Sequence, residues 1–152
     1  MQFQTFIPID PLPCPRPRVR VIKGKNGKSF GHAYYEAAYK NWTEEFLKIL
    51  GTKQFTKFAG PLRVRLVLDC RKARTSKLLF PGGDVDNYAK SVLDGLTHGG
   101  IWDDDKQVVH LIVTKRWAKA DKVGIYIYID DSPEVPNDQR QEPEPVCTGS
   151  SD

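Results

Sequence analysis

The sequence predicts an α+β fold: a mixed β-sheet of about four to five strands with two helices on one face, in a single domain. Three observations lead there. Apolar residues alternate with others in several short segments, the period-two signature of strands. Two further segments repeat their apolar residues at steps of three and four, as amphipathic helices do. The order runs strands, helix, strand, helix and a closing hairpin, which indicates α+β with a mixed sheet.

Each element has its own warrant. Phe3, Thr5, Ile7 and Ile9 alternate and predict the first strand. The following PLPCPRPR contains four prolines, which exclude helix and sheet interior alike. RVRVI at 18–22 alternates again, and Asn26-Gly27 behind it is a strong hairpin-turn signal. Tyr35, Ala38, Trp42, Phe46 and Ile49 predict a helix, with Gly51 where a C-terminal cap belongs. Leu62, Val64, Leu66 and Leu68 alternate with Arg63, Arg65, Val67 and Asp69, a strand with one wetter face. A second helix is predicted over about 87–97, with Ala89, Val92, Leu93 and Leu96 facing the core. Strands at about 107–117 and 123–129, joined by a short polar turn, complete the set.

The chain has 152 residues, enough to bury a core without staples. Residues 1–131 form the predicted domain. Residues 132–152 hold five acids and one arginine among prolines and small polar residues, and are predicted to be a disordered acidic tail. No apolar run approaches the ~20 residues of a membrane span, and MQFQTFIPIDPLP lacks the features of a signal peptide. The expected location is cytoplasmic, with no membrane and no small-molecule substrate. Cys14, Cys70 and Cys147 are scattered, as are His32, His98 and His110, so neither a disulfide framework nor structural zinc is suggested. The net charge is +4; subtracting the tail's −4 leaves +8 on residues 1–131, which points to a polyanionic partner, nucleic acid first.

Against that basic background, residues 82–109 read GGDVDNYAKSVLDGLTHGGIWDDDKQVV. Asp86, Lys90 and Asp94 fall on one wetter side of the predicted helix. Asp86 sits where an N-cap carboxylate fits. If Asp84-Val85-Asp86 is extended, both carboxylates point one way and Val85 the other. Two such carboxylates suit a hard cation such as Mg²⁺, which takes oxygen ligands, waters and phosphate oxygens. Lys90, one turn on, is placed to meet developing negative charge. The blander reading makes Asp86 a cap, Asp84 a turn residue, Lys90–Asp94 a surface ion pair and 103–105 a polar turn. Taken singly, each of these motifs favours the blander reading.

In combination the stretch resembles the RusA family of Holliday-junction resolvases. It fits a pattern D-x-D-N-x-x-K, then LD-x-L, a glycine–aromatic step and DD-x-QV, with the Asp86-to-Asp105 spacing matched without a gap. PRPRVR at 15–20 and HAYYEAAYKNWTEEF at 32–46 resemble the N-terminal half of phage and Gram-positive members. The likeness covers most of residues 6–129. It implies a RusA-like fold and a dimer that cuts four-way DNA junctions with paired nicks. It further implies that Asp84, Asp86 and Asp105 are catalytic and bind Mg²⁺, with Mn²⁺ able to substitute, and that Lys90 is the catalytic lysine. One departure is local. Some members carry arginines directly before the D-x-D, where this chain has Phe80-Pro81-Gly82-Gly83 and places its basic run, Arg71, Lys72, Arg74 and Lys77, upstream.

That run is the first candidate for contact with DNA backbones. Arg16 and Arg18, with Arg20, Lys23, Lys25 and Lys28, form a second group; Lys115, Arg116, Lys119 and Lys122 form a third. Phe30, Tyr34, Tyr35 and Trp42 are candidates for stacking on unpaired bases, although the spacing of Trp42 favours the core. The alternative from another class is a catalytically silent branched-DNA-binding module; the presence of all four expected catalytic side chains argues against it. Asp105 follows the helix by eight residues and must return to its start. Either HGGIWDD runs back alongside the helix, aided by Gly99-Gly100 and anchored by Trp102, or Asp105 meets the Asp84–Asp86 pair of a second subunit. The first arrangement is preferred.

Overall fold

The structure is a computed structural model that describes residues 1–131; the predicted tail, 132–152, lies outside the described residues. The elements are β1 (Gln2–Ile7), β2 (Arg18–Lys23), β3 (Ser29–Tyr34), α1 (Ala37–Leu50), β4 (Leu62–Cys70), α2 (Val85–His98), β5 (Val108–Trp117) and β6 (Gly124–Asp130). A short 3-10 turn, Asp105–Gln107, precedes β5. The fold is α+β, with a four-stranded mixed sheet and a separate two-stranded ribbon, β2–β3.

The main sheet runs β1-β6-β4-β5. β4 and β5 are parallel, whereas β6 is antiparallel to both β4 and β1. The predicted closing hairpin is therefore not formed: β4 lies between β5 and β6. The side chains explain the order. Ile125, Ile127 and Ile129 of β6 are fully buried, so this strand gains most from an interior place. β5 carries Lys115 and Arg116 and leaves Val109, Leu111 and Ile112 exposed, so it takes the edge. Residues 118–123 are long enough to pass the end of β4, about two strand spacings of ~4.8 Å.

One sheet face carries both helices. Leu62, Val64, Leu66 and Leu68 of β4 and the three isoleucines of β6 meet Trp42, Phe46 and Leu50 of α1 and Ala89, Val92 and Leu96 of α2. The α1 stripe is Tyr39, Trp42, Phe46 and Leu50, about one residue on from the predicted one. Ala38 is exposed, and Tyr35 precedes the helix. Gly51 does take the C-cap, in a right-handed conformation. In α2 the predicted stripe holds, with Leu93 half-buried at its margin. The other sheet face is wetter, as expected: Arg63 pairs with Asp130 at 2.6 Å, and Arg65 lies over the Tyr128 ring. Asp69 on that face is buried and held by Arg116 Nε at 2.6 Å. β1 ends at Ile7 because Pro8 has no N–H for the ladder. Among the described residues no helix is long and apolar enough to cross a membrane.

Candidate active site

The site is built on the crossover from β4 through α2 to β5. After Cys70 the chain runs irregularly to Asp84, the N-cap of α2, with φ −69° and ψ 136°. Helix geometry begins at Val85, so Asp86 lies inside the first turn and is not the cap. The extended reading of Asp84-Val85-Asp86 is corrected with it, and Val85 is exposed rather than turned inward. Neither reassignment gives the carboxylates a structural task. The Asp84 side chain makes no capping hydrogen bond. Both Asp84 and Asp86 are exposed, and neither carboxylate has a hydrogen bond or ion pair among the described residues. The first-turn N–H groups of α2 thus lack a side-chain acceptor, a setting that favours an anion.

Three contacts fix the approach to Asp84. Lys115 Nζ, reaching from β5, donates to the carbonyls of Pro81 at 2.8 Å and Gly83 at 2.5 Å. Trp117 Nε1 donates to Leu78 O at 3.0 Å. Gly83 packs so closely that a Cβ there would stand 2.6 Å from the Tyr88 ring and 3.1 Å from Pro13. The proline-rich segment lies against the same end of α2: Cys14 N–H donates to Asn87 O at 2.9 Å, and Ser91 Oγ to Leu12 O at 2.6 Å. Beneath, burial pushes the Tyr88 hydroxyl up to about 12, with the adjacent Cys70 adding to the shift. Tyr88 therefore stays neutral and packs as a wall.

Lys90 lies one turn beyond Asp86. Its ammonium donates to Asp94 Oδ1 at 3.3 Å and sits 3.2 Å from Oδ2. The hydrogen bond and charge of Asp94 raise its pKa, and the charge of Asp105 adds to the shift. The 3-10 turn that begins at Asp105 lies against α2 of the same chain. Two local features expected of a chain that turns back after α2 are present. Gly100 turns with φ +80°, a conformation that glycine adopts without strain. Ile101 and Trp102 are then fully buried, and Trp102 Nε1 donates to Thr97 Oγ1 at 2.7 Å.

The triplet 103–105 divides its work. Asp103 pairs with Lys57. Asp104 caps the 3-10 turn by accepting the Lys106 N–H at 2.9 Å, which lowers its pKa, while Gln107 Oε1 accepts the Asp104 N–H. Asp105 is exposed beside Asp104 and holds no cation at ion-pair distance among the described residues.

The donors at Asp84, Asp86 and Asp105 are all carboxylate oxygens open to solvent, which suits a hard divalent cation in kind. They do not form a closed cage: among the described residues no three His, Cys, Asp or Glu side chains come together closely enough to hold an ion. A cation bound by one or two carboxylates plus waters and substrate phosphate needs no such cage. A concavity of about 590 Å³ lies on the opposite sheet face around Arg65, His110 and Tyr128 and contains none of these residues. The carboxylates instead occupy open surface, accessible to a polymer.

Arg71, Lys72, Arg74 and Lys77 are all exposed on the loop leading to Asp84 and form no ion pair among the described residues. Lys72 Nζ lies 5.7 Å from the Trp117 ring centre. Arg16 is exposed before β2; Arg18 is exposed but paired with Glu36. In the third basic group Lys115 and Arg116 are committed to Pro81, Gly83 and Asp69. Trp42 is in the core, donating to Asp10 O at 2.8 Å. Sequence reading missed the loop-holding role of Lys115. No local signal carries it, since the contact spans 32 residues and exists only because β5 pairs parallel to β4.

This is an α+β domain with an open carboxylate–lysine site at a helix start, set in basic surface. Residues 8–129 match the family model described as endodeoxyribonuclease RusA. The chain belongs to that family of Holliday-junction-resolving endodeoxyribonucleases. No curated protein matches the chain.

Proposed function

We propose that the protein is a Mg²⁺-dependent endonuclease that resolves four-way and other branched DNA in recombination and repair, with Mn²⁺ able to substitute. It acts as a homodimer and makes paired, symmetric nicks. One observation carries this reading: Asp84 and Asp86 are exposed and their carboxylates unpaired at the start of α2, with Lys90 one turn on and the 3-10 turn of Asp105 against the same helix.

Asp84, Asp86 and Asp105 would hold the metal, which when bound supplies Lewis acidity and a more acidic water. The remaining chemistry belongs to the chain. Hydrolysis adds a water oxygen to phosphorus and breaks one P–O ester bond, building negative charge on the phosphate. Lys90, kept protonated by Asp94, meets that charge as a cation and not as a base. The N–H groups of the first turn of α2 offer a second anchor for the phosphate. Arg71, Lys72, Arg74 and Lys77 position the backbone without reading sequence. The test is a synthetic mobile four-way junction incubated with the protein, with and without Mg²⁺, on a denaturing gel. Paired nicks at symmetric positions, dependent on metal, are expected; binding without nicks in Mg²⁺ and in Mn²⁺ refutes the reading.

A further inference from the structure

Among the described residues the β2–β3 ribbon pairs with no other strand. Every residue of β2 is exposed, as is every residue of β3 except Tyr34, which is half-buried. An isolated two-stranded ribbon is marginal in water, and this one leaves Val19, Val21, Ile22 and Phe30 open to solvent. Its charge is one-sided. Residues 11–35 contain six Lys and Arg and no acid.

The register sorts the side chains. Arg18 faces Tyr34, Arg20 faces His32 and Ile22 faces Phe30, all on one side of the ribbon. Arg20 lies over the Tyr34 ring, 5.8 Å from its centre. That side is basic and aromatic along its length and ends in an apolar pair near the tip. The turn beyond is tight, with Gly24 N–H donating to Lys28 O at 2.8 Å and Gly27 at φ +72°. The root of the ribbon is equally informative. Cys14, four residues before β2, is hydrogen-bonded to Asn87 in the first turns of α2. The arm therefore starts beside the carboxylates.

We propose that this ribbon is a DNA-gripping arm whose tip pair, Ile22 and Phe30, stacks on bases opened at the branch of the junction. The inference rests on the endonuclease reading above and adds a source of structure selectivity. Charge complementarity selects a polyanion. A two-stranded ribbon fits the ~12 Å width of a major groove, and six residues reach about 20 Å along it. Apolar side chains at such positions separate base steps, and aromatic ones stack on bases of any identity.

The test uses the full chain carrying Asp86→Asn, without metal, so that binding is read apart from cutting. Binding is measured to a four-way junction with 2-aminopurine at the branch and to a linear duplex. Ile22→Ser with Phe30→Ser should weaken junction binding on the order of tenfold, remove the 2-aminopurine response and leave duplex binding unchanged. Phe30→Trp should retain both signals. Arg20→Gln with Lys23→Gln and Lys25→Gln should weaken both DNAs and reduce the salt slope by about two to three. A serine pair that binds the junction as tightly as its parent, with the same fluorescence response, overturns the arm while metal-dependent nicking by the unmodified chain still stands. A serine pair that instead changes the sedimenting mass assigns the arm to a second copy of the chain and also overturns it. An unmodified chain that neither binds nor nicks junctions removes the endonuclease reading and the arm together.

Discussion

Lys115→Met tests whether the loop before Asp84 is held from the sheet. The substitution keeps the aliphatic stem and removes the ammonium, which donates to Pro81 O at 2.8 Å and Gly83 O at 2.5 Å. A hydrogen bond involving a charged group contributes about 1.5–3 kcal/mol. Lys115 is half-buried and the released carbonyls can be rehydrated, so the pair together should be worth about 2–3 kcal/mol. If that loss is taken locally, the open form of the loop becomes about 30-fold or more commoner. If it is taken globally, the midpoint falls by about 5–10 °C. Thermal melting and a Mg²⁺ titration of junction nicking separate the two. We expect a higher metal requirement, because the backbone that carries Asp84 is no longer fixed. A variant that melts and nicks like the parent at every metal concentration shows that Trp117 and the Gly83–Tyr88 packing suffice, and that Lys115 has no positioning role.

Asp84→Asn and Asp86→Asn should each reduce nicking by orders of magnitude, while junction binding in EDTA persists or tightens; nicking at the parental rate would mean the D-x-D is only a helix start. Mixing Asp86→Asn chains with Asp105→Asn chains should not restore nicking, because the turn that carries Asp105 lies against α2 of its own chain; single nicks on mixing would show a site shared between two chains. Gly83→Ala should destabilise by about 1–3 kcal/mol, since its Cβ would stand 2.6 Å from Tyr88; an unchanged urea midpoint would refute the packing argument. Asp94 raises the Lys90 pKa above 10.5, so the contribution of this pair is complete below that value and is lost as pH rises through the folded one. Asp94→Asn should therefore move any alkaline limb of the nicking profile to lower pH, and an unmoved limb would disconnect Lys90 from it.

Much of this was readable in the sequence because it depends on local spacing. The stripe Ala89, Val92, Leu93 and Leu96 sets the face of α2. Asn26-Gly27 makes its turn, and Trp102 anchors the loop that returns Asp105. What was not readable depends on long-range competition. The pairing of β6 with β1 and β4, instead of with its neighbour β5, is decided by which strand buries more, and alternation within a strand does not rank strands. The helix start moved from Asp86 to Asp84 because an exposed helix end is weakly specified by sequence when no side chain caps it. The shift of the α1 stripe to Tyr39 and Leu50 has a similar origin. Each was passed over for an adjacent residue, Ala38 or Ile49, and only packing against β-strands separates such neighbours.

The disposition of charge gives the site its energetic logic. Several aspartates are paired: Asp69 with Arg116, Asp94 with Lys90, Asp103 with Lys57 and Asp130 with Arg63. In a body of +8, cations were available for Asp84 and Asp86 as well, yet the fold directs Lys115 to carbonyls and leaves Arg71 to Lys77 in solvent. Two opposing terms act on the unpaired carboxylates. The first-turn position of Asp86 gains about 0.3–1 kcal/mol from the helix dipole. Repulsion between exposed carboxylates costs at most about 1 kcal/mol at close range in water, and salt screens it. These terms nearly cancel. Removing either charge should therefore leave the melting midpoint within a few degrees of the parent while changing what the surface binds. A large drop in the midpoint of Asp86→Asn would assign that carboxylate to the fold, and its loss of nicking would then say nothing about chemistry.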